Sequence, residues 1–488
     1  MMSPSREPMA RRQFYPGDQD AFARLSGDYN PLHLDSLAAR RLIFGGPVVH
    51  GVHALLWALD AVTGPAAAVA RLKAEFVAPI PVGAEVALDA GTPAPGTHRL
   101  RVTTDDGGTA AVIDVAWAAA TNAGRLPKSG CPDAGTPHLV SSEDAAGQSG
   151  RVDLHLDRDL ASSLFHNLAK TLDAAQLAAV LATSRVVGME CPGEHSIFSG
   201  MALEAAPNTA GEPVLDYRVA RVKPRLSLAD IEISGGGLAG RIRALFRPPP
   251  TTQPPFTELA TLVNDGEFAG RRALIIGGSR GLGEVAAKLL TAGDADVRLT
   301  YHSGWSDAER VRDEIAAGGG RAECFAFDVL TPPRNLAERL GDGWRPTMLG
   351  YFATPHIGVG KSDGFSDTIH QRLSHTYVNG FRATVAAVRA VGAVGAGELR
   401  ILYPSSVYVD DAPPDMKEYA AAKEAGERAC AELAIEAGFK FVAPRFPRLA
   451  TDQTARLLGE KEADAGAAVL DALRRLFDNT KDPQAEKP

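Results

Sequence analysis

The chain of 488 residues has few of the residues that mark several large classes of protein. Its 4 cysteines are too few and too widely spaced for a disulfide framework or a zinc site. Asp and Glu outnumber Lys and Arg by 59 to 51, and an acidic balance argues against nucleic acid or an anionic membrane as the main partner. We therefore expect buried thiols in a reducing compartment, no bound metal, and neither a nucleic-acid nor a membrane partner.

The sequence also lacks a long uninterrupted apolar run and an export signal. The most apolar stretch, residues 53–72, is interrupted by Asp60 and Arg71, so it is too polar to span a membrane. The basic residues 1–14 are not followed by the apolar core of a secretory signal. The hydrophobic content of 45% is that of ordinary globular domains, and we expect a cytoplasmic protein.

Three blocks follow from the pattern of apolar and polar residues. Residues 12–120 open with a polar loop and a long apolar run and continue with alternating segments, which predicts a helix followed by an antiparallel meander. Residues 151–247 repeat this order, which indicates an internal duplication. Residues 269–476 alternate strand-like runs with helical stretches, as is typical of an α/β doubly wound parallel sheet.

The remaining segments carry no such pattern. Residues 121–150 are rich in Gly, Ser, Pro and Ala and are predicted to be a linker. Residues 248–268 open with a proline-rich run that fits neither a helix nor a sheet interior, which predicts a spacer. Residues 477–488 are predicted to be a frayed tail.

A glycine-rich loop follows the first strand of the third block. It contains Gly277, Ser279, Arg280, Gly281 and Gly283 and leads into a predicted helix. Glycines at this place let backbone N–H groups approach a pyrophosphate at the helix N-terminus. A tight strand-to-helix turn without any ligand explains the same residues equally well, so the loop alone does not show whether a pyrophosphate binds there.

Three further features of this block favour a ligand. Tyr419 and Lys423 are four positions apart on a predicted helix and share one face, where a cation lowers the pKa of a phenol and prepares it for proton transfer. Ser406 follows a predicted strand and can bind the same carbonyl, and Asn379 can complete a polar relay. The alternative is a salt-bridged surface helix with an unrelated Ser and Asn.

By these features residues 270–475 resemble the short-chain dehydrogenase/reductase family. The resemblance implies a Rossmann-like fold that binds a nicotinamide cofactor on the glycine loop, and it assigns a catalytic tetrad of Asn379, Ser406, Tyr419 and Lys423. It also implies Asp328 near the adenine. The second strand ends at His302 without an acidic residue for a ribose 2′-hydroxyl, and Arg280 lies in the loop, so NADPH is expected rather than NAD.

The densest polar cluster of the first block is the loop at residues 25–35. Its Asp28 and His33 are five positions apart across a proline, so both side chains can converge on one water molecule. A carboxylate and an imidazole that share a water can deprotonate it and return a proton to a neighbouring carbon. By residue type alone, an Asx turn that caps the helix after Pro31 is the simpler explanation.

The long apolar helix of the first block begins shortly after this loop. Free N–H groups at its start, that of Gly51 especially, can bind a thioester oxygen as it gains negative charge. We interpret the neighbouring His50 and His53 as packing or rim residues, since they show no metal-ligand pattern.

Together these segments resemble the MaoC-like, hydratase-2 branch of the hotdog-fold enzymes, on the motif Gly27-Asp28-Tyr29-Asn30-Pro31-Leu32-His33. The resemblance implies addition or removal of water across the 2,3-bond of an acyl thioester. It makes Asp28 and His33 the catalytic pair, has Asn30 orient the loop in the substrate site, and makes Gly51 an oxyanion donor.

Residues 151–247 lack that motif and resemble the non-catalytic half of double-hotdog proteins, which predicts an α+β double hotdog before the α/β block. Such a half would shield the sheet edge and shape the acyl tunnel. Its Glu190, Glu194 and His195 suggest a second acid/base site, but we interpret them as solvated loop residues.

A reductase and a dehydratase in one chain suit consecutive steps on one acyl thioester of coenzyme A or acyl carrier protein. We expect a homo-oligomer that reduces a 3-oxoacyl thioester with NADPH and then dehydrates the product to the 2-enoyl thioester. One alternative is the reverse, hydration followed by NAD(P)-dependent oxidation. Another is a dehydratase with a non-catalytic reductase-like scaffold, which departures from the family pattern at Ile276 and Thr354 would favour. A third has the reductase act separately on a sugar or specialised metabolite.

Overall fold

The computed structural model describes residues 7–64, 67–105, 107–119, 125–207, 212–333, 335–341, 343–357, 364–391, 399–454 and 463–478. These form two compact units, and the chain passes from the first to the second between Pro249 and Pro250. Within the described ranges, every helix is too short or too polar to cross a membrane. Residues 479–488 of the predicted tail lie outside the described part.

The first unit combines a large sheet with several helices. Its strands are β1 (Ala10–Gln13), β2 (Ala67–Phe76), β3 (Glu85–Gly91), β4 (Thr97–Thr104), β5 (Thr109–Ala119), β6 (Lys128–Ser129), β7 (Ser149–Asp153), β8 (His155–Leu156), β9 (Ser196–Ala205), β10 (Val214–Lys223), β11 (Leu228–Gly235) and β12 (Leu238–Phe246). Its helices are α1 (Pro16–Ser26), α2 (Pro31–Leu34), α3 (Ser36–Ala39), α4 (Gly51–Asp60), α5 (Arg158–Leu164), α6 (Leu168–Thr171) and α7 (Ala174–Arg185), which a π-helical turn, Val186–Glu190, extends.

The order of the strands in this sheet shows the internal duplication. Ten antiparallel strands are arranged as β1-β3-β4-β5-β2-β9-β12-β11-β10-β7. The order is symmetric about the central pair of β2 and β9, because β2 to β5 of the first half correspond to β9 to β12 of the second. The predicted duplication is therefore confirmed, and one continuous sheet joins the two halves.

A buried helix in each half fills the space beside the sheet. In α4 every side chain from Val52 to Leu59 is buried, and in α7 the same holds from Ala175 to Ser184. A helix that is buried on every side has apolar residues along its whole length, without amphipathic alternation. The long apolar run of the sequence corresponds to most of α4 and the start of β2. The two halves form the predicted double hotdog.

The segment predicted as the linker 121–150 is packed against the second half where the structure describes it. Its β6 pairs with β8. Farther along, the N–H of His138 donates to Met189 O at 2.8 Å, and the N–H of Glu194 donates to His138 O at 2.8 Å. These contacts use backbone groups, so they leave no hydrophobic pattern in the sequence.

The second unit has a central parallel sheet. Its strands are β13 (Arg272–Ile276), β14 (Asp296–Tyr301), β15 (Ala322–Ala326), β16 (Met348–Tyr351), β17 (Arg400–Leu402), β18 (Ser405–Ser406), β19 (Lys440–Val442) and β20 (Arg445–Phe446). Its helices are α8 (Phe256–Ala260), α9 (Gly281–Ala292), α10 (Trp305–Ala317), α11 (Leu336–Leu340), α12 (Asp367–Ser374), α13 (Phe381–Ala390), α14 (Lys417–Ala437) and α15 (Ala465–Phe477).

Six of these strands are parallel and lie in the order β15-β14-β13-β16-β17-β19. The chain proceeds outward from β13 on one side and then from β16 on the other, so the topology reverses between β13 and β16. Ligands of doubly wound sheets bind at the carboxyl ends of the strands at such a point. Separate buried clusters cover the two faces, which confirms the α/β Rossmann-like prediction.

The spacer predicted at residues 248–268 is shorter in the structure. Helix α8 lies within it, and Phe256, Leu259 and Phe268 are buried in the core of the second unit. Because burial of these side chains stabilises the fold, only the proline-rich start of the segment is left as a connection.

Candidate functional site

In the first unit, the motif loop forms a compact link between α1 and α2. Gly27 ends α1 in the left-handed conformation, with φ of 78°. The side chain of Asn30 caps α2 by accepting the N–H of Leu32 at 3.0 Å, and Pro31 is the first residue of that helix. Asp28 lies between these fixed points and is 3% exposed. The Asx turn of the simpler hypothesis is thus present, but it also carries a buried carboxylate.

The structure brings Asp28 and His33 together. A carboxylate oxygen of Asp28 and one ring nitrogen each of His33 and His50 all lie within 4.8 Å of one another. The Nδ1 atom of His33 is 2.7 Å from the carbonyl oxygen of Val48, and because a carbonyl only accepts, Nδ1 carries a proton. In the neutral ring Nε2 is therefore the free base.

The second half of the unit supplies part of this site. Ser184, near the end of α7, donates to Oδ2 of Asp28 at 2.6 Å. A Cβ atom on Gly188 would lie only 2.1 Å from Oδ1 of Asp28, so the π-helical turn can approach the carboxylate only because it has glycine there. Sequence reasoning missed Ser184 and Gly188 as site residues, since both lie in the half without a motif.

Asn30 links the motif loop to the same half. Its Nδ2 atom is within 3.0–3.1 Å of the carbonyl oxygens of Gly188, Gly193 and Glu194. The amide is 1% exposed and is occupied by these contacts. Asn30 therefore ties the motif loop to the second half of the unit, and its role in orienting the loop for a substrate stays a prediction.

Burial shifts the titration of the pair in opposite directions. It raises the pKa of Asp28, while the charge of His33 and the hydrogen bond from Ser184 work against this shift. Burial lowers the pKa of His33, while the charge of Asp28 works against that shift. The two values move toward one another, which suits a pair that exchanges a proton during a reaction.

The two further histidines of the region have different surroundings. His50 is buried and stacks on His33 with 3.8 Å between ring centroids, and its ring nitrogens lie 3.1 Å from Asp28 O and 3.0 Å from Gln19 Oε1. Burial lowers the pKa of His50 well below its usual value, so the neutral ring carries a hydrogen on only one of these nitrogens and donates to only one of the two oxygens. His53 stacks on Phe22 at 4.8 Å, as expected for a packing residue.

Gly51 is the first residue of α4, and His50 is the N-cap of that helix. The first N–H groups of a helix have no partner within the helix. Because His50 stacks on His33, this end of α4 lies next to the Asp28–His33 pair. A Cβ atom on Gly51 would lie 3.2 Å from the ring of Phe76, so a larger residue would press on that ring.

In the second unit, the glycine loop connects β13 to α9. Gly277 and Gly281 have φ of 77° and 59°, and a Cβ atom on Gly283 would lie 2.2 Å from Gly277 O. Ser279 is buried. The loop therefore brings its backbone close to the start of α9, and a pyrophosphate fits such a cradle.

Ser406, Tyr419 and Lys423 come together at the carboxyl side of the sheet. Ser406 is hydrogen-bonded to the Tyr419 hydroxyl. Lys423 is buried, and its Nζ atom donates to Pro404 O at 2.8 Å. The same Nζ atom is 5.8 Å from the centre of the Tyr419 ring.

The predicted effect of Lys423 on Tyr419 is wrong for this structure. Burial raises the pKa of Tyr419 to about 12, and the hydrogen bond with Ser406 is the contact that opposes this rise. Burial also lowers the pKa of Lys423 to about 7. Desolvation dominates both groups because each is enclosed, so the phenol is protonated at neutral pH.

Asn379 has different surroundings from the other tetrad residues. It is exposed, on a π-helical turn at His375–Gly380, and its Nδ2 atom is 3.3 Å from Nδ1 of His375. Tyr377 of the same turn lies inside instead: Nζ of Lys423 is 4.0 Å from the centre of its ring, and its hydroxyl is 2.5 Å from Oγ1 of Thr354. Sequence reasoning missed Tyr377.

The residues expected near the adenine lie around the end of β14. Asp328 accepts the N–H of Leu330 at 2.9 Å and the Thr331 hydroxyl at 2.7 Å. These hydrogen bonds lower the pKa of Asp328 although partial burial opposes them, and His302, which is exposed, acts in the same direction. Nη1 of Arg280 is 3.1 Å from Oδ2 of Asp452, so its charge is already paired.

Comparisons with known proteins agree with this division. Residues 3–94 match the family model described as "MaoC like domain". A comparison with curated proteins finds no match. The first unit thus contains a MaoC-like domain, and the chain joins it to a Rossmann-like unit.

Solved structures of short-chain dehydrogenases and a ketoreductase are similar to less than half of the chain. A short-chain dehydrogenase from Burkholderia cenocepacia in complex with NADP is 24% identical, with a TM-score of 0.38 over 45% of this chain and 94% of that one. One from Salmonella enterica is 20% identical, with a TM-score of 0.39 over 45% and 95%. The angucycline C-6 ketoreductase LanV with bound NADP is 24% identical, with a TM-score of 0.33 over 37% and 75%.

Proposed function

We propose that the chain is a bifunctional enzyme that reduces a 3-oxoacyl thioester with NADPH and then dehydrates the 3-hydroxyacyl product to the 2-enoyl thioester. The observation that carries the proposal is the pair of buried Asp28 and half-buried His33 within a MaoC-like domain. The reductase part rests on the group of Ser406, Tyr419 and Lys423 near a loop suited to a pyrophosphate. Coenzyme A or acyl carrier protein holds the acyl group, and the protein works as a homo-oligomer.

In the dehydration, the hydrogen bond of His33 assigns the two roles. Nδ1 of His33 is held by Val48 O, so its free Nε2 accepts the proton from C2, and Asp28, in its protonated form, gives a proton to the hydroxyl that leaves C3 as water. N–H groups at the start of α4, that of Gly51 first, stabilise the negative charge that develops on the thioester oxygen. Proton transfer from His33 back to Asp28 then restores the pair.

In the reduction, the chain binds the substrate carbonyl and supplies a proton. Gly277, Gly281 and Gly283, around the start of α9, would hold a nicotinamide cofactor, which would supply the hydride for C3. Tyr419 is protonated at neutral pH and donates its proton to the C3 oxygen, while Ser406 polarises that carbonyl. Nζ of the buried Lys423 lies 4.0 Å from the centre of the Tyr377 ring and 5.8 Å from that of the Tyr419 ring, and we propose that it helps to hold the substrate and cofactor beside Tyr419.

The preference for NADPH rests on the end of β14, which carries no acidic residue to hold a ribose 2′-hydroxyl. Arg280 is the cation proposed near a 2′-phosphate, although it would have to share its charge with Asp452, and His302 is proposed as a further cofactor-binding residue. Asp328 is proposed to lie near the adenine. A strong preference for NAD would instead favour hydration followed by oxidation.

Two single substitutions test whether the two activities reside where we place them. Asp28→Asn should lower hydration of a 2-enoyl thioester by about 10²–10⁴-fold and leave reduction of a 3-oxoacyl thioester unchanged, and Tyr419→Phe should do the reverse. Hydration is followed by the loss of enoyl absorbance and reduction by NADPH consumption. Absence of NADPH binding in wild type would support the scaffold alternative.

A further inference from the structure

Arg247 is a buried cation that the proposed reaction does not use. It directly follows β12 and is 3% exposed. Its Nη2 atom donates to Glu194 O at 2.5 Å, and its backbone N–H donates to His195 O at 2.9 Å. The Nε and Nη1 atoms have no hydrogen-bond partner among the residues that the structure describes.

The charge of Arg247 also lacks an ion-pair partner. Burial lowers the pKa of Arg247 to about 10, against the effect of the Glu194 charge, so the guanidinium stays protonated at neutral pH. No carboxylate oxygen of the described chain lies within ion-pairing distance of it. Buried charges are normally paired, so the free N–H groups point to an anion from outside the chain.

The position of Arg247 connects it to the candidate site. Glu194 O accepts from Nη2 of Arg247 and also from Nδ2 of Asn30, at 3.1 Å, and Asn30 holds the loop that carries Asp28. The charge of Arg247 lowers the pKa of His33. Nδ1 of the adjacent His195 is a second buried atom without a partner among the described residues.

We propose that Arg247 is a specificity-determining residue that binds a carboxylate group on the acyl chain of the substrate. This inference rests on the proposed hydratase function of the Asp28–His33 pair. A guanidinium matches a carboxylate in charge and in planar geometry. The other anionic source is a phosphate of the carrier, but this lies at the far end of a long arm, whereas Arg247 is buried and shares the acceptor Glu194 O with Asn30 of the motif loop.

Binding of unreactive saturated thioesters tests this inference. Succinyl, glutaryl and adipyl thioesters of N-acetylcysteamine, which has no phosphate, are compared by calorimetry with the butyryl thioester. We expect at least one carboxylate-bearing thioester to bind wild type about tenfold tighter or more, which corresponds to about 1.4 kcal/mol or more. Arg247→Met should lose this preference and Arg247→Lys should keep part of it. Arg241→Met, at an exposed arginine of β12 paired with Glu232, should keep all of it.

The inference would be overturned if wild type bound all these thioesters equally, or if Arg247→Met kept the preference for a carboxylate. It would also be overturned if the same acyl groups showed the preference only when attached to coenzyme A, which carries phosphates. Hydration of a neutral 2-enoyl thioester supplies an independent readout. Loss of the Arg247 charge should raise the pKa of His33. The part of the pH profile that reports His33 titration should therefore lie at higher pH in Arg247→Met than in wild type. Hydration that depends on Asp28 without any carboxylate preference would leave the proposed function standing and refute only this role for Arg247.

Discussion

At the scale of single residues, Asp28 shows how the two halves of the first unit share one site. Burial opposes its ionisation, and the hydrogen bond from Ser184 favours it. The motif loop places the carboxylate, whereas the half without a motif sets its titration. This division explains why a chain with one motif needs both halves.

Ser184→Ala tests this contact. Loss of the hydroxyl removes a hydrogen bond that stabilises the ionised form, so the pKa of Asp28 should rise further above its usual value. The limb of the hydration pH profile assigned to Asp28 should therefore move to higher pH, and stability should fall by about 1–3 kcal/mol. Ser163→Ala is the matched control, because among the described residues the Ser163 hydroxyl donates only to Leu160 O of its own helix. An unshifted profile would contradict this role of Ser184.

The tetrad residues differ in their surroundings, and this difference can be measured. Asn379 is exposed and contacts His375, while Tyr419 bonds Ser406. We expect Tyr419→Phe to lower NADPH-dependent reduction by about 10²–10⁴-fold and Asn379→Ala to have a much smaller effect. Steady-state kinetics of both variants decides this, and equal losses would show that Asn379 acts as the resemblance implies.

The sequence was sufficient to predict the site residues that belong to a motif, but it was not sufficient to predict the residues that contact them. Asp28, His33, Ser406, Tyr419 and Lys423 could be selected because their types and spacing recur in families. Ser184, Gly188 and Arg247 act through contacts between segments far apart in the chain, which no local pattern records.

At the scale of elements, the π-helical turn Val186–Glu190 is central to the first site. It extends α7 and places Gly188 against the Asp28 carboxylate. Regular strands such as β14 could be predicted from alternation, but this turn could not, because it is defined by a close approach rather than by periodicity. The packing of the segment predicted as the linker 121–150 could not be predicted for a related reason, since backbone hydrogen bonds hold its described part against the second half.

Gly188→Ala should disturb this approach. The added Cβ would overlap the Asp28 carboxylate, so either the turn or the carboxylate must shift. We expect a large loss of hydration with unchanged reduction, and a loss of stability of about 1–3 kcal/mol in denaturant unfolding. Gly17→Ala in α1 is the control, because a Cβ there meets nothing within 4 Å and should cost no activity. Full hydration by Gly188→Ala would contradict the account of this turn.

At the scale of the whole molecule, two units have separate cores, and the first is indivisible. β2 pairs with β9, and Asp28 bonds Ser184, so each half completes the other. A fragment that ends at Pro249 should therefore fold and retain Asp28-dependent hydration. A fragment that ends at residue 125 should be insoluble or inactive, which circular dichroism and the enoyl assay would show. Hydration by the shorter fragment would contradict the shared site.

The central claim is that one chain performs both steps on one acyl thioester. Its most direct test is to incubate the full-length protein with NADPH and a 3-oxoacyl thioester and to identify the products by mass. Wild type should give the 2-enoyl thioester, and Asp28→Asn should accumulate the 3-hydroxyacyl thioester instead. Failure to consume NADPH on any 3-oxoacyl thioester would contradict the account.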